Sequence, residues 1–376
     1  MNLGALDAAF AQNFSEGREL GASVSVWREG REVVTLAGGT TAKGEGASPW
    51  SAETLVPIYS ATKGPASAAL LLLVERSGFD LGVPVSEIWP AFGQHGKAGV
   101  TVGEVLSHQA GVAALDVAVD VTDHAAVASA LEEQVPNWQP GFGHGYHPRT
   151  FGFVVEELAR RLDGAGRPLG VLWRELVGDP LDLDIWIGLP EPEHPRVATL
   201  YPGRAAKAGS EDAFYAAFSR SGSLTRRAFE SPNGLHSVAE MNLPGTWSAG
   251  FPAFGGVASA EGLAKFYSIL ASGGAGVFSP QVLGWLMTPL AEGGDRVLLT
   301  ETVFTAGMQR DPTDGAGRKL RSHYGRSVNA FGHPGAGGSH AFADPETGGG
   351  FAYVMNQMEL SVLPGERVLR LIEALG

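Results

Sequence analysis

Residues 59–78 read Tyr59-Ser60-Ala61-Thr62-Lys63-Gly64-Pro65-Ala66-Ser67-Ala68-Ala69-Leu70-Leu71-Leu72-Leu73-Val74-Glu75-Arg76-Ser77-Gly78. Small and apolar side chains fall on nearly every side of the helix this predicts over Ser60–Ser77, and Gly78 supplies the stop. A helix without a polar face must lie between other elements. The apolar run Ala66–Val74 is too short to cross a bilayer, which takes about 18 residues or more. Ser60 stands where the helix begins, and Lys63 completes the only Ser-x-x-Lys in the chain. Residues three apart share a helical face, so the amine can reach the hydroxyl. Free N–H groups at a helix start also favour the negative oxygen that develops in acyl transfer. Lys63 precedes Gly64-Pro65 and the apolar run, so burial is expected, and burial lowers a lysine's pKa until a neutral amine can take the serine proton. The plainer alternative makes Ser60 an N-cap and Lys63 a surface residue of the first turn.

Leu3–Phe14 reads as an amphipathic helix, and Ala22–Trp27 with Glu32–Ala37 as a hairpin about Glu29-Gly30. Helices are predicted over Val102–His108, Asp123–Gln134, Arg149–Leu162 and Leu169–Val177, with Gly188–Pro202 as an exposed loop. Glu261–Ala271 and Pro280–Met287 restore the helical period. Val303–Gln309, Ser322–Ala330, Gly338–Ala343 and Gly350–Met355 then pattern as an antiparallel meander, with Asp344–Gly349 as a turn. Leu363–Leu375 closes the chain as a helix. Strands at both ends with helices between them imply an α+β fold, one sheet assembled from the two termini around a helical insertion.

The 376 residues carry 40 acidic and 27 basic side chains, a formal charge of −13 with no basic cluster, which argues against nucleic acid and anionic membrane as partners. A neutral or modestly polar small molecule fits better. The absence of cysteine excludes thiolate nucleophiles, disulfides and cysteine zinc sites. Met1–Ser15 lacks the pattern of an export signal, so a cytoplasmic location is expected. With no HExxH, GxxxxGK[ST] or strand-to-helix GxGxxG, neither metal nor cofactor is expected. Gly245-Thr246-Trp247-Ser248-Ala249-Gly250 has the look of a nucleophile elbow, but its first glycine is one position too early and no strand precedes it; it reads as a loop. Nothing in the sequence specifies an oligomeric state.

Two further motifs bear on chemistry. Gly143-His144-Gly145-Tyr146-His147-Pro148 offers a tyrosine that a nearby ammonium would acidify, making it a candidate base; otherwise it is a packed loop tyrosine. His144 and His147 have a spacing two metal ligands could use, yet no third ligand is evident. Gly332-His333-Pro334-Gly335-Ala336-Gly337-Gly338-Ser339 leads toward a strand, where glycines permit close backbone approach and an exposed N–H can stabilise an oxyanion. Trp138, Phe142, Trp247, Phe251 and Phe254 could supply apolar walls, or serve as core.

With these motifs in order, together with Leu106-Ser107-His108-Gln109-Ala110-Gly111 and Ala343-Asp344-Pro345, the chain resembles the penicillin-recognising serine hydrolases. Within them it is most similar to esterases of β-lactamase fold, the family VIII carboxylesterases. The resemblance implies an antiparallel sheet flanked by helices (1–74 and 255–376), a mainly helical lobe (75–254) and a site in the cleft between them. It implies Ser60 as nucleophile, Lys63 as its activator and Tyr146 as the base that primes the deacylating water. The oxyanion hole would use the N–H groups of Ser60 and Ala336, the latter on the strand edge after Gly335. Substrate would meet His333, Gly335, Trp138, Trp247 and Phe254. Where the lactamases have Lys-Thr-Gly this chain has His333-Pro334-Gly335, and Pro148 replaces a polar residue of the second motif. Both changes weaken the grip on a carboxylate-bearing lactam and favour short-chain or aryl esters; acyl transfer, amide cleavage and weak β-lactam hydrolysis are the alternatives, and a non-catalytic binding module the remote one.

Overall fold

The computed structural model of the chain describes residues 2–204 and 213–376. Strands β1 (Gly21–Arg28) and β2 (Arg31–Gly39) form the N-terminal hairpin, and β3 (Val56–Tyr59) runs directly into Ser60. The middle of the chain contributes β4 (Ile185–Trp186) and β5 (Tyr201–Arg204), followed by β6 (Gly256–Ala258). The C-terminal part holds β7 (Ala291–Gly294), β8 (Glu301–Phe304), β9 (Gln309–Arg310), β10 (Phe331–Pro334), β11 (His340–Asp344), β12 (Gly349–Met355) and β13 (Gln357–Glu359).

Eight strands form one antiparallel sheet in the order β2-β1-β12-β11-β10-β9-β8-β7. The chain ends meet where β1 pairs with β12, Val24 opposite Tyr353. Seven of the eight β1 residues are buried, which requires cover on both faces. The helices Leu3–Ser15 and Glu366–Ala374 supply one cover, packing Leu6, Phe10 and Leu371 with Val24, Val26 and Tyr353. The helix Ala260–Ala271 supplies the other. A second sheet, β3-β6-β4, braces the start of the buried helix.

That helix begins as a 3₁₀ turn, Ser60–Thr62, and continues as an α-helix over Lys63–Arg76 with every residue from Lys63 to Val74 buried. The helices Thr150–Asp163, Leu169–Trp173 and Pro280–Met287 surround it. Gly64 admits the Tyr267 hydroxyl; a Cβ there would lie 2.4 Å from that oxygen.

Four expectations need correction. Ser322–Ala330 is not a strand: the amides of His323 and Tyr324 donate to the Asp311 carboxylate, which also pairs with Lys319, so the segment coils around a buried charge. Val303–Gln309 is not continuous, because Gly307, at φ +87°, turns the chain between β8 and β9. Gly188–Pro202 is not an exposed loop: a 3₁₀ helix, Glu191–Arg196, occupies its middle, and Leu189, Ala198 and Leu200 are buried. The segment Gly245–Gly250 is not a loop either; Pro244 starts a short helix, Pro244–Ala249.

Candidate active site

The site is built at the corner where β3 becomes helix. Tyr59 there has φ +47°, a region that L-residues rarely occupy. The Thr62 hydroxyl holds the corner by donating to the Tyr59 carbonyl and accepting the Gly256 N–H at 2.9 Å. Ser60 is left half-buried, with its amide at the open start of the 3₁₀ turn.

Lys63 is fully buried. Its Nζ lies 3.3 Å from Ser60 Oγ and donates to the carbonyls of Pro148 and Ala253, each at 2.9 Å. Burial holds its pKa well below the usual lysine range. A neutral amine has two N–H bonds and one lone pair. The two carbonyls use both N–H bonds, so the lone pair is left for the Ser60 hydroxyl.

Tyr146 sits over this pair, with Lys63 Nζ 4.8 Å from its ring centre. Its phenol interacts with the Ser60 hydroxyl, which lowers its pKa, but burial outweighs that and pushes the phenol well above its ordinary value. The sequence expectation of an acidified phenol is therefore reversed: desolvation of the buried phenol dominates, and the Asp295 carboxylate adds to it. The ring stacks parallel to Phe304 with centres 6.1 Å apart and meets the His108 edge at 4.9 Å.

The neighbouring histidines are structural in their contacts. His147 Nδ1–H donates to the Gly145 carbonyl at 2.7 Å, and its Nε2 accepts the Val112 N–H at 3.0 Å. Burial lowers its pKa to about 3. His144 Nε2 lies 2.7 Å from the Thr302 hydroxyl. Among the described residues no group of three or more His, Cys, Asp or Glu could hold a metal ion.

On the opposite wall, β10 ends against β3. A Cβ at Gly335 would lie 2.2 Å from the Ile58 carbonyl oxygen, so glycine alone permits the approach. Ala336 lies in the turn between β10 and β11 rather than on a strand edge, because pairing stops at Pro334–His340. It is half-buried, and its amide makes no hydrogen bond among the described residues. His333 is buried; its Nδ1–H donates to the Pro334 carbonyl at 2.7 Å and its Nε2 faces the Gln309 amide at 3.4 Å. Its pKa is far below the ordinary value, through burial and the nearness of Lys63.

The proposed wall residues divide. Trp138 packs with the Tyr146 cluster, its indole N–H donating to the Gly143 carbonyl at 3.3 Å. Phe254 is buried beneath the Arg149 guanidinium and stacked on Phe251 at 5.0 Å. Phe142 is 67% exposed. Trp247 lies apart, with Leu55, Leu189 and Val257. Sequence reasoning missed Asp295, Gln309, Phe229 and Phe304, all neighbours of Tyr146 or His333, and none sits in a motif.

The sequence model of the Beta-lactamase family matches residues 6–374. The esterase/beta-lactamase LipL of Mycobacterium tuberculosis is 33% identical over 369 residues, covering 93% of this chain and 80% of LipL. Among solved structures, a family VIII carboxylesterase superposes with TM-score 0.87 at 32% identity, covering 99% of this chain and 96% of that one. A penicillin-binding protein homolog from Caulobacter crescentus gives 0.84 at 35% identity, with the same coverage. The chain belongs to the beta-lactamase family and has the β-lactamase/transpeptidase-like fold.

Proposed function

We propose that the protein is a serine hydrolase that cleaves short-chain or aryl carboxylic esters through an acyl-enzyme, with Ser60 as nucleophile. The observation that carries this reading is the buried Lys63 Nζ, 3.3 Å from Ser60 Oγ and 2.9 Å from the carbonyls of Pro148 and Ala253, a geometry in which the neutral amine turns its lone pair to Ser60. Ser60 Oγ gives its proton to Lys63 as it attacks the ester carbonyl carbon. The resulting oxyanion takes hydrogen bonds from the Ser60 and Ala336 amides. The ester C–O bond breaks, the leaving alkoxide takes a proton from the Tyr146 phenol, and the phenol is restored by the proton on Lys63. Water then adds to the acyl-enzyme, losing its proton to the Lys63–Tyr146 pair, which returns it to Ser60 Oγ as the acid leaves. Tyr146 acts in this scheme as a relay kept protonated, not as the first base.

The choice of ester over lactam is supported by His333. A buried neutral imidazole stands where the lactamases carry a lysine, and it offers no charge to a substrate carboxylate. The family VIII carboxylesterase and the esterase/beta-lactamase among its relatives favour the same reading. The test is hydrolysis of p-nitrophenyl butyrate beside a chromogenic cephalosporin. Ester turnover that Ser60→Ala abolishes while the fold is kept is the expected result; turnover surviving in Ser60→Ala rejects the assignment.

A further inference from the structure

Beside Tyr146 lies a buried carboxylate to which the proposed chemistry gives no role. Asp295 follows β7 and is 3% exposed. Burying a carboxylate is costly unless its oxygens are hydrogen-bonded. Oδ1 accepts the amides of Val297 and Leu298, each at 2.7 Å, which closes the carboxylate's own turn. The remaining backbone donor comes from a distant segment: the Tyr146 N–H, 3.1 Å from Oδ1 and 3.0 Å from Oδ2. The Thr302 hydroxyl adds a contact to Oδ2 at 3.4 Å and is itself 2.7 Å from His144 Nε2. The Arg296 amide donates to the His144 carbonyl at 3.1 Å. Gly145 makes the approach possible, since a Cβ there would lie 3.1 Å from Arg296 Cβ and 3.2 Å from Val297 Cγ2.

We propose that Asp295 is a positioning residue for the proton relay: its carboxylate grips the Tyr146 amide and thereby sets where the phenol stands relative to Ser60 and Lys63. The inference rests on the serine hydrolase reading above. Its negative charge has a second consequence, because it opposes formation of phenolate at Tyr146. The other titratable groups about the phenol are Lys63, His108, His147, His333 and Tyr324, with His144 beside Asp295; burial favours the neutral form of each and raises the Asp295 carboxyl as well, opposed there by the Leu298, Val297 and Tyr146 amides and by His144.

Asp295→Asn keeps the size but removes the charge and turns an amide toward the Tyr146 N–H. Misplacing a reacting group by about 1 Å costs about 100-fold, so kcat on p-nitrophenyl butyrate should fall by about that factor with KM within about 3-fold. The alkaline limb of kcat should move to lower pH as the phenol loses its negative neighbour. Thr302→Val removes the hydroxyl's contacts with Asp295 Oδ2 and His144 Nε2 and keeps the carboxylate; kcat should fall about fivefold with the limb unmoved. A folded Asp295→Asn with wild-type kcat and an unmoved alkaline limb overturns the proposal. If that variant does not fold, Thr302→Val decides, and a wild-type kcat there overturns it. Phosphonate labelling of Ser60 in the wild type separates the two readings: without labelling the hydrolase assignment fails, whereas with labelling a null result in the variants defeats the role of Asp295 alone.

Discussion

Lys63 is the residue on which the proposed chemistry turns, and its burial has two measurable consequences. The first concerns activity. Only the unprotonated amine can accept the Ser60 proton, so kcat is lost as pH falls through the Lys63 pKa, which lies well below the ordinary lysine value. Lys63→Arg replaces the base by a group that stays charged, and kcat should drop about 1,000-fold or more, within the usual effect of a catalytic base. The second concerns stability. An unfolded lysine holds its proton up to about pH 10.4, whereas the folded one releases it earlier, so between those two values the unfolded state binds more protons. Stability must therefore rise with pH across that window. Lys63→Met removes this dependence while leaving the Pro148 and Ala253 carbonyls unpaired, a cost that does not vary with pH. Urea unfolding of both proteins from neutral pH toward pH 10 should show wild type gaining on the variant. Parallel curves would mean that the amine is charged in the folded state.

The elements around Lys63 depend on glycines that differ in what a methyl group would meet. Gly152 lies in the helix Thr150–Asp163, and a Cβ there would be 2.6 Å from the Ala253 amide nitrogen and 2.8 Å from its Cβ. Gly152→Ala should cost about 1–3 kcal/mol by overpacking, more than the helix propensity gained. It should also lower kcat, because it displaces the residue whose carbonyl holds Lys63. Gly284, inside the helix Pro280–Met287, has nothing within 4 Å of its would-be Cβ. Gly284→Ala should stabilise by about 0.5–1 kcal/mol with kcat unchanged, and urea midpoints with turnover at one pH check the pair. At this scale the sequence is most legible where a pattern is local. The all-apolar helix, the N-terminal hairpin and the Ser60–Lys63 spacing each follow from a single window. The partners of Lys63 do not, because two of them are backbone carbonyls at Pro148 and Ala253, and any residue type carries one. Asp295 has no sequence mark for the same reason: its significance lies in which amide folds against it. Ser322–Ala330 has strand-like letters, yet Asp311, outside that window, takes the amides of His323 and Tyr324.

At the scale of the molecule, the chain ends are joined by one buried cation, and the join reaches the active site. Arg367 is 1% exposed and pairs with Glu19, whose side chain is fully covered, at 2.6 Å. It also donates to the carbonyls of Arg18 at 2.9 Å and Gln357 at 2.7 Å, tying the C-terminal helix to the chain before β1 and to β13. From β13 the Glu359 amide donates to the Gly337 carbonyl, and the Gly337 amide donates to the Ser361 carbonyl, both at 2.8 Å. The turn that presents Ala336 is thus held from behind by the same cluster. Removing one partner of a buried ion pair leaves the other charge unmatched, so Arg367→Met should destabilise by about 3–5 kcal/mol. Glu19→Met together with Arg367→Met removes both members of that pair and leaves only the partly exposed Glu359, 3.2 Å from Arg367 Nε, without its cation; it should recover part of that loss, giving a coupling of about 1 kcal/mol or more in a double-mutant cycle followed by urea unfolding. The same cycle read in kcat asks whether the turn relaxes with the ends: the single variant should lose turnover with little change in KM, and the double should regain some of it. Strict additivity in both readouts would mean that the two side chains are independent and that the turn is fixed by β10 and β11 alone.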